Sequence, residues 1–174
     1  MEKQREKILR RLDESLAVLE KSLAGLSDKD WHTQPAPERW SIGEIVHHLV
    51  LVEVQRLQMI KEMLAGRRES APPRTEAIGD IASYRRKEQR IPTIEMMQPT
   101  PNLPAKTLLL GFRRGRTETR AFASATDLDK LQNIWLVTKS FGPLNGMEYL
   151  EFLAAHTERH ADQIQIVREQ LRKQ

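Results

Sequence analysis

Residues 41–64 read SIGEIVHHLVLVEVQRLQMIKEML, and the spacing of their apolar side chains decides the fold class. Ile42, Ile45, Val46, Leu49, Val52, Ile60 and Met63 recur at helical intervals rather than in the strict alternation of a strand. Ser41 stands where an N-cap belongs and Glu44 follows three residues later, the spacing of a capping box. The pattern runs to Ala65–Gly66. Twenty-odd residues of amphipathic helix, with a His47-His48 pair inside, is the element around which the rest of the chain is read.

Working outward, a first helix is predicted over Glu2 to Ala24. Leu9, Leu12, Leu16, Leu19 and Leu23 form one apolar stripe, and Gly25 sits at the C-terminal cap position. Leu26 to Trp40 carries Asp28, Pro35 and Pro37 and reads as a structured loop, with Trp31 and Trp40 pinning it to the core. Downstream, residues 66–104 hold six of the nine prolines and no sustained periodicity. They read as a long crossover containing a short helical turn around Ile78 to Gln89, and connections of that length are often functional. A third helix is predicted over Lys106 to Ala125, with Leu109, Phe112, Arg116 and Thr119 along a mixed face. A fourth runs from about Asn145 to Arg172, with Tyr149, Leu150, Leu153, Ile164, Val167 and Leu171 inward. Between them lie a β-like element around Trp135 to Thr138 and a Phe141-Gly142-Pro143 turn. No internal repeat or boundary divides residues 1–174, so one all-α domain, a four-helix bundle with a long crossover between its second and third helices, is expected.

Composition narrows the chemistry. The chain has 174 residues and no cysteine, so disulfides, thiolate metal sites, iron–sulfur clusters and a cysteine nucleophile are all excluded. Any metal must be held by nitrogen and oxygen donors. No apolar run approaches the roughly 18–20 residues that span a bilayer. The stretch MEKQREKILR lacks the apolar core of a signal peptide, and the cytoplasm is the expected location. The net charge is +4. The basic clusters are short (Arg85, Arg86 and Lys87; Arg113, Arg114 and Arg116) and lack interleaved aromatic residues, so they read as solvated helix faces rather than a nucleic-acid surface.

The histidines carry the chemistry. Of five, four fall on two of the predicted helices. His156 and His160 stand four apart and therefore on one face. A helical wheel puts both within or beside the cluster of Leu150, Leu153, Ile164, Val167 and Leu171, opposite Glu158, Asp162 and Glu169. Two imidazoles turned into an apolar interior need partners, because an unpaired buried polar group costs about 1–3 kcal/mol. A shared metal ion is one such partner, since neutral imidazole is a common ligand of zinc, nickel and iron. The H-E-x-x-H pattern of metalloproteases is absent. A third ligand from the second helix is either His47 or His48. The two flank the apolar centre of that helix on opposite sides, and spacing does not choose between them. His32, in the first loop, reads as a surface residue.

The segment Trp40-Ser41-Ile42-Gly43-Glu44-Ile45-Val46-His47-His48-Leu49, followed far downstream by His156-Thr-Glu-Arg-His160-Ala-Asp-Gln163-Ile164, resembles the DinB/YfiT-like superfamily. Asp30-Trp31 and the Phe-Gly-Pro-Leu stretch before the last helix also sit in family-like places, so the resemblance covers nearly the whole chain. It implies an up-down-down-up bundle with one divalent metal ion (Ni, Zn, Fe or Mn) on three histidines. It also implies that the ligand of the second helix is the one directly preceding the leucine, His48. Glu44 and Gln163 become candidates for orienting a ligand or a bound water, Glu44 being first the capping-box partner. The resemblance further implies a homodimer and a small-molecule substrate. The activity it implies is that of a metal-dependent hydrolase or a transferase using a low-molecular-weight thiol. The alternative is a stress- or DNA-damage-associated binding protein whose metal is structural or absent. Three neutral ligands leave the ion's charge uncompensated and a coordination position open, which favours an enzyme.

Overall fold

A computed structural model describes residues 2–86 and 93–173. Four long helices carry the fold: α1 (Glu2–Leu23), α3 (Ile42–Leu64), α4 (Ala105–Ala125) and α6 (Gly146–Leu171). Two one-turn helices, α2 (Asp28–His32) and α5 (Leu128–Gln132), lie in stretches that sequence reading assigns to loops. Both are opened by a capping side chain: Ser27 accepts from the Asp30 amide and Asp127 from the Asp129 amide. Trp31 of α2 is buried in the core, as its loop-pinning role requires. The β-like element is a strand, β1 (Trp135–Thr138), paired antiparallel with β2 (Gly142–Asn145) across a tight connection in which Gly142 takes φ 65°.

Helix starts follow the predicted logic. Ser41 accepts from the Glu44 amide while the Glu44 carboxylate accepts from the Ser41 amide, closing the capping box of α3. Asn145 and Glu148 do the same for α6. Glu148 also takes a bidentate contact from Arg74 at 2.6 Å on each oxygen, which ties the crossover to the start of α6.

Side-chain pairs give the helix directions. Between α1 and α6, Gln4 meets Glu151, Arg11 meets Glu158 and the Ser22 carbonyl accepts from Arg168, so residue numbers rise together and the two helices are parallel. Between α3 and α4, Gly43 faces Leu108, Gly111 faces Val50 and Gly115 faces Glu53, which is also parallel. The α1–α4 pairs run oppositely: Glu20 with Arg113, Asp13 with Arg120, and Arg5 donating to the Ala123, Ser124 and Thr126 carbonyls at the end of α4. The bundle is therefore up-down-down-up. The crossover exists because two consecutive parallel helices need the chain to return along their whole length.

The crossover contains 3₁₀ turns at Ile81–Arg86 and Glu95–Met97. The first occupies part of the predicted turn at Ile78 to Gln89; residues 87–89, including Lys87 of the first basic cluster, lie outside the described residues. The predicted solvated face of the other cluster is corrected at Arg116, which is 1% exposed. Arg113 and Arg114 are exposed and paired with Glu20 and Glu118. Glu158 is a second correction. It is buried and held by Arg11 from α1, because the parallel α1–α6 contact covers a face that a lone helical wheel treats as open.

The core forms two apolar clusters. One gathers Ile8, Leu12, Val52, Ile60, Leu150 and Leu153; the other gathers Leu19, Trp31, Ile45, Leu49, Phe112 and Ile164. Where one gives way to the other, buried polar residues stand on every long helix: Ser15 on α1, Glu53 and His48 on α3, Arg116 and Thr119 on α4, and His156, Thr157 and His160 on α6. A polar layer thus crosses the waist of the bundle.

Candidate metal centre

The α3 helix delivers His48 and α6 delivers His156 and His160 to one half of that layer. One ring nitrogen from each histidine lies within 4.8 Å of the other two. The three rings are 5–9% exposed. The His156 and His160 Nε2 atoms face each other at 3.3 Å, and the His48 ring centroid lies 5.4 and 5.0 Å from theirs. Walls come from Trp40, 5.1 Å from the His48 ring, from Phe152, and from Tyr84 of the crossover, whose ring stacks on His156 at 6.0 Å.

Neighbours fix the tautomers. The Met97 carbonyl, in the second 3₁₀ turn, can only accept, so His48 Nδ1–H donates to it at 2.9 Å and its Nε2 carries a lone pair. His160 Nδ1–H donates to the Gln163 amide oxygen at 2.8 Å, again leaving Nε2 as the lone-pair nitrogen. Burial holds all three imidazoles neutral. It pushes His160 down to about 3 and His156 well below the usual range, with the neighbouring histidines adding to the effect, and it lowers His48 against the opposing bond to Met97.

The remaining candidates lie elsewhere. His47 turns to the crossover, where its Nδ1 accepts from the Thr100 amide at 2.8 Å. His32 ends α2 and bonds the Asp28 and Leu103 carbonyls. The Glu44 carboxylate is taken up by its cap and by Gln34.

The other half of the polar layer was not visible in the sequence. Arg116 grips both Glu53 oxygens at 2.9 and 3.0 Å. Its remaining donors reach the Leu12 carbonyl, Ser15 Oγ and Thr157 Oγ1, so one guanidinium ties all four long helices together. Its one available signal was Glu53, a lone acid in an apolar stretch of α3.

The three imidazoles fit a metal ion. Two nitrogens about 2.05 Å from one tetrahedral centre stand about 3.3 Å apart, which is the spacing of the two Nε2 atoms on α6. Among the described residues no carboxylate joins the three histidines.

Comparison with known proteins agrees with this architecture. YuaE of Bacillus subtilis (strain 168), an uncharacterised protein, is 25% identical over 157 residues, spanning 87% of this chain and 91% of its own. The fold matches that of YfiT from Bacillus subtilis, described as a probable metal-dependent hydrolase with an unusual four-helix bundle topology. The TM-score is 0.68 at 13% identity, over 98% of this chain and 89% of that one. Residues 11–164 match the model of the DinB superfamily, and the chain belongs to that family.

Proposed function

We propose that the chain is a metal-dependent enzyme in which His48, His156 and His160 hold one divalent ion, and that its reaction is a hydrolysis. The observation that carries this reading is the orientation of the imidazoles: His48 and His160 have their Nδ1–H groups engaged by Met97 and Gln163, so their Nε2 lone pairs converge on His156. A site that is only structural usually closes with four protein donors, and three leave room for a ligand from outside. The description of YfiT as a probable metal-dependent hydrolase supports the same reading.

When bound, such an ion supplies a Lewis acid that lowers the pKa of a water or thiol. The residues around it do the rest. Met97 and Gln163 hold two donor rings in place, while Trp40, Tyr84 and Phe152 keep bulk water away. A general base is not among them: Glu53 is locked by Arg116, Glu158 by Arg11 and Asp162 by Arg85.

That last observation favours a second reading, transfer of a low-molecular-weight thiol. A thiol's reference pKa of about 8.5 lies far below that of water, so it ionises at a metal without a base. Metal analysis of protein purified without added metal tests the shared premise. Wild type is expected to carry near-stoichiometric metal and His160→Ala to lose it; an equal trace in both ends the proposal. Ester and amide hydrolysis, run beside thiol addition to electrophiles, then separates the two reactions.

A further inference from the structure

Arg56 stands eight residues after His48 on α3, on the side that also carries Val52, so it lies about 12 Å further along the helix on the same face. The residue is half-buried. Nη1 lies 3.1 Å from Met59 Sδ and Nη2 3.8 Å from Met97 Sδ. Among the described residues those thioethers are its only hydrogen-bond acceptors, and none pairs its charge. Six other arginines differ from it in this: Arg11, Arg74, Arg85, Arg113, Arg116 and Arg120 each meet a carboxylate.

Thioether sulfur is a weak acceptor, and a guanidinium cannot lose its proton to escape burial. The charge is therefore retained and poorly matched. It is also linked to the histidine site through one residue. Met97 joins the two, its carbonyl holding His48 and its sulfur touching Arg56. The positive charge acts across the helix interface on His156 and on the Tyr149 phenol, opposing protonation of the first and favouring ionisation of the second.

We propose that Arg56 is the specificity residue of the histidine site and receives a carboxylate group of the substrate. The proposal rests on the reading of the three histidines as a metal centre and names the substrate class it serves. A carboxylate matches the flat guanidinium fork with two parallel hydrogen bonds and cancels its single charge. The substrate would then be a small acid, its reacting end at the histidines and its anionic end toward Arg56.

The test uses the full chain as wild type, Arg56→Met and Arg56→Lys, each offered zinc, with zinc content and thermal stability measured on every sample. Methionine keeps the length and apolar contacts of the side chain, and lysine keeps the charge without the fork. The probes are 3-mercaptopropionate and 3-mercaptopropanol, which differ only in the terminal carboxylate, titrated by calorimetry. Wild type is expected to bind the acid at least tenfold tighter than the alcohol, Arg56→Met to lose that preference with its zinc unchanged, and Arg56→Lys to keep part of it. Zinc held with no preference in wild type, or a preference that survives in Arg56→Met, overturns the proposal. Absence of zinc from all three proteins instead counts against the metal reading. Propionate and propanol are then compared on the metal-free protein by NMR, where a preference missing from Arg56→Met supports the role of Arg56 and equal binding overturns it.

Discussion

Arg116 directs its guanidinium to Glu53, Ser15, Thr157 and the Leu12 carbonyl. On the same polar layer, His48, His156 and His160 turn ring nitrogens toward one another. Both groups are buried, and both join α3 to α6. They differ in what they leave unmet. The arginine cluster is complete within the chain, as burial of charge in a low-dielectric interior demands. The histidine cluster is held on its outer side, where Met97 and Gln163 accept from His48 and His160, while on its inner side it has only the 3.3 Å contact between His156 and His160. A bundle that can saturate an arginine this fully shows by contrast that the open side of the histidines is a property of the site and not of poor packing.

The largest effect that would sharpen this contrast is at Arg116. Removing one partner of a buried pair strands the other, so Arg116→Ala should cost about 3–5 kcal/mol in denaturant unfolding. A loss below 1 kcal/mol would mean that the cluster is no keystone. The histidines should behave in the opposite way. With a chelator present, His160→Leu should unfold close to wild type, because its inward nitrogen loses only a long 3.3 Å contact with His156 Nε2. With metal at a hundred times its dissociation constant, wild type alone should gain about 2.7 kcal/mol. Equal gains in both proteins would break the comparison.

Acid comes next. His160 titrates at about 3 in the folded chain, against about 6.5 when unfolded, so the unfolded state takes up its proton first. Metal-free stability should be level above pH 7 and fall as pH drops from 6.5 toward 3, with about 2 kcal/mol lost by pH 5 from this residue alone. His160→Leu should flatten that slope, and an unchanged slope would place the titrating group elsewhere. The smallest effect is at Gln163. Gln163→Leu removes the acceptor that orients His160 and should weaken metal binding by about tenfold, read by competition with a chromogenic chelator.

How much of this the sequence discloses depends on whether a feature is local. The capping box at Ser41, the apolar stripes and the four-residue step from His156 to His160 are written within single helices, and each appears in the structure where the spacing puts it. The choice between His47 and His48 is not local. The crossover makes it, offering the Met97 carbonyl to one ring and the Thr100 amide to the other, from a segment with no periodicity to read. Arg116 is hidden for a related reason. In sequence it resembles Arg113 and Arg114, and only the meeting of four helices distinguishes it. Arg56 is likewise one more helical arginine until Met59 and Met97 are seen where a carboxylate would stand.

The parallel pairing of α1 with α6 has a consequence for how the chain comes into being. The apolar stripe of α1 packs against a helix nearly 150 residues later, with Gln4 on Glu151 across a separation of 147. An up-and-down bundle can zip neighbouring helices as they emerge from the ribosome, but here neither the first pair nor the middle pair closes by a short hairpin. Such high contact order slows folding, because the loop entropy must be lost before the contacts form. The side of α1 that faces α6 therefore finds its partner only when that helix is made. That same helix brings two of the three histidines, so the bundle and its centre are completed in one late event.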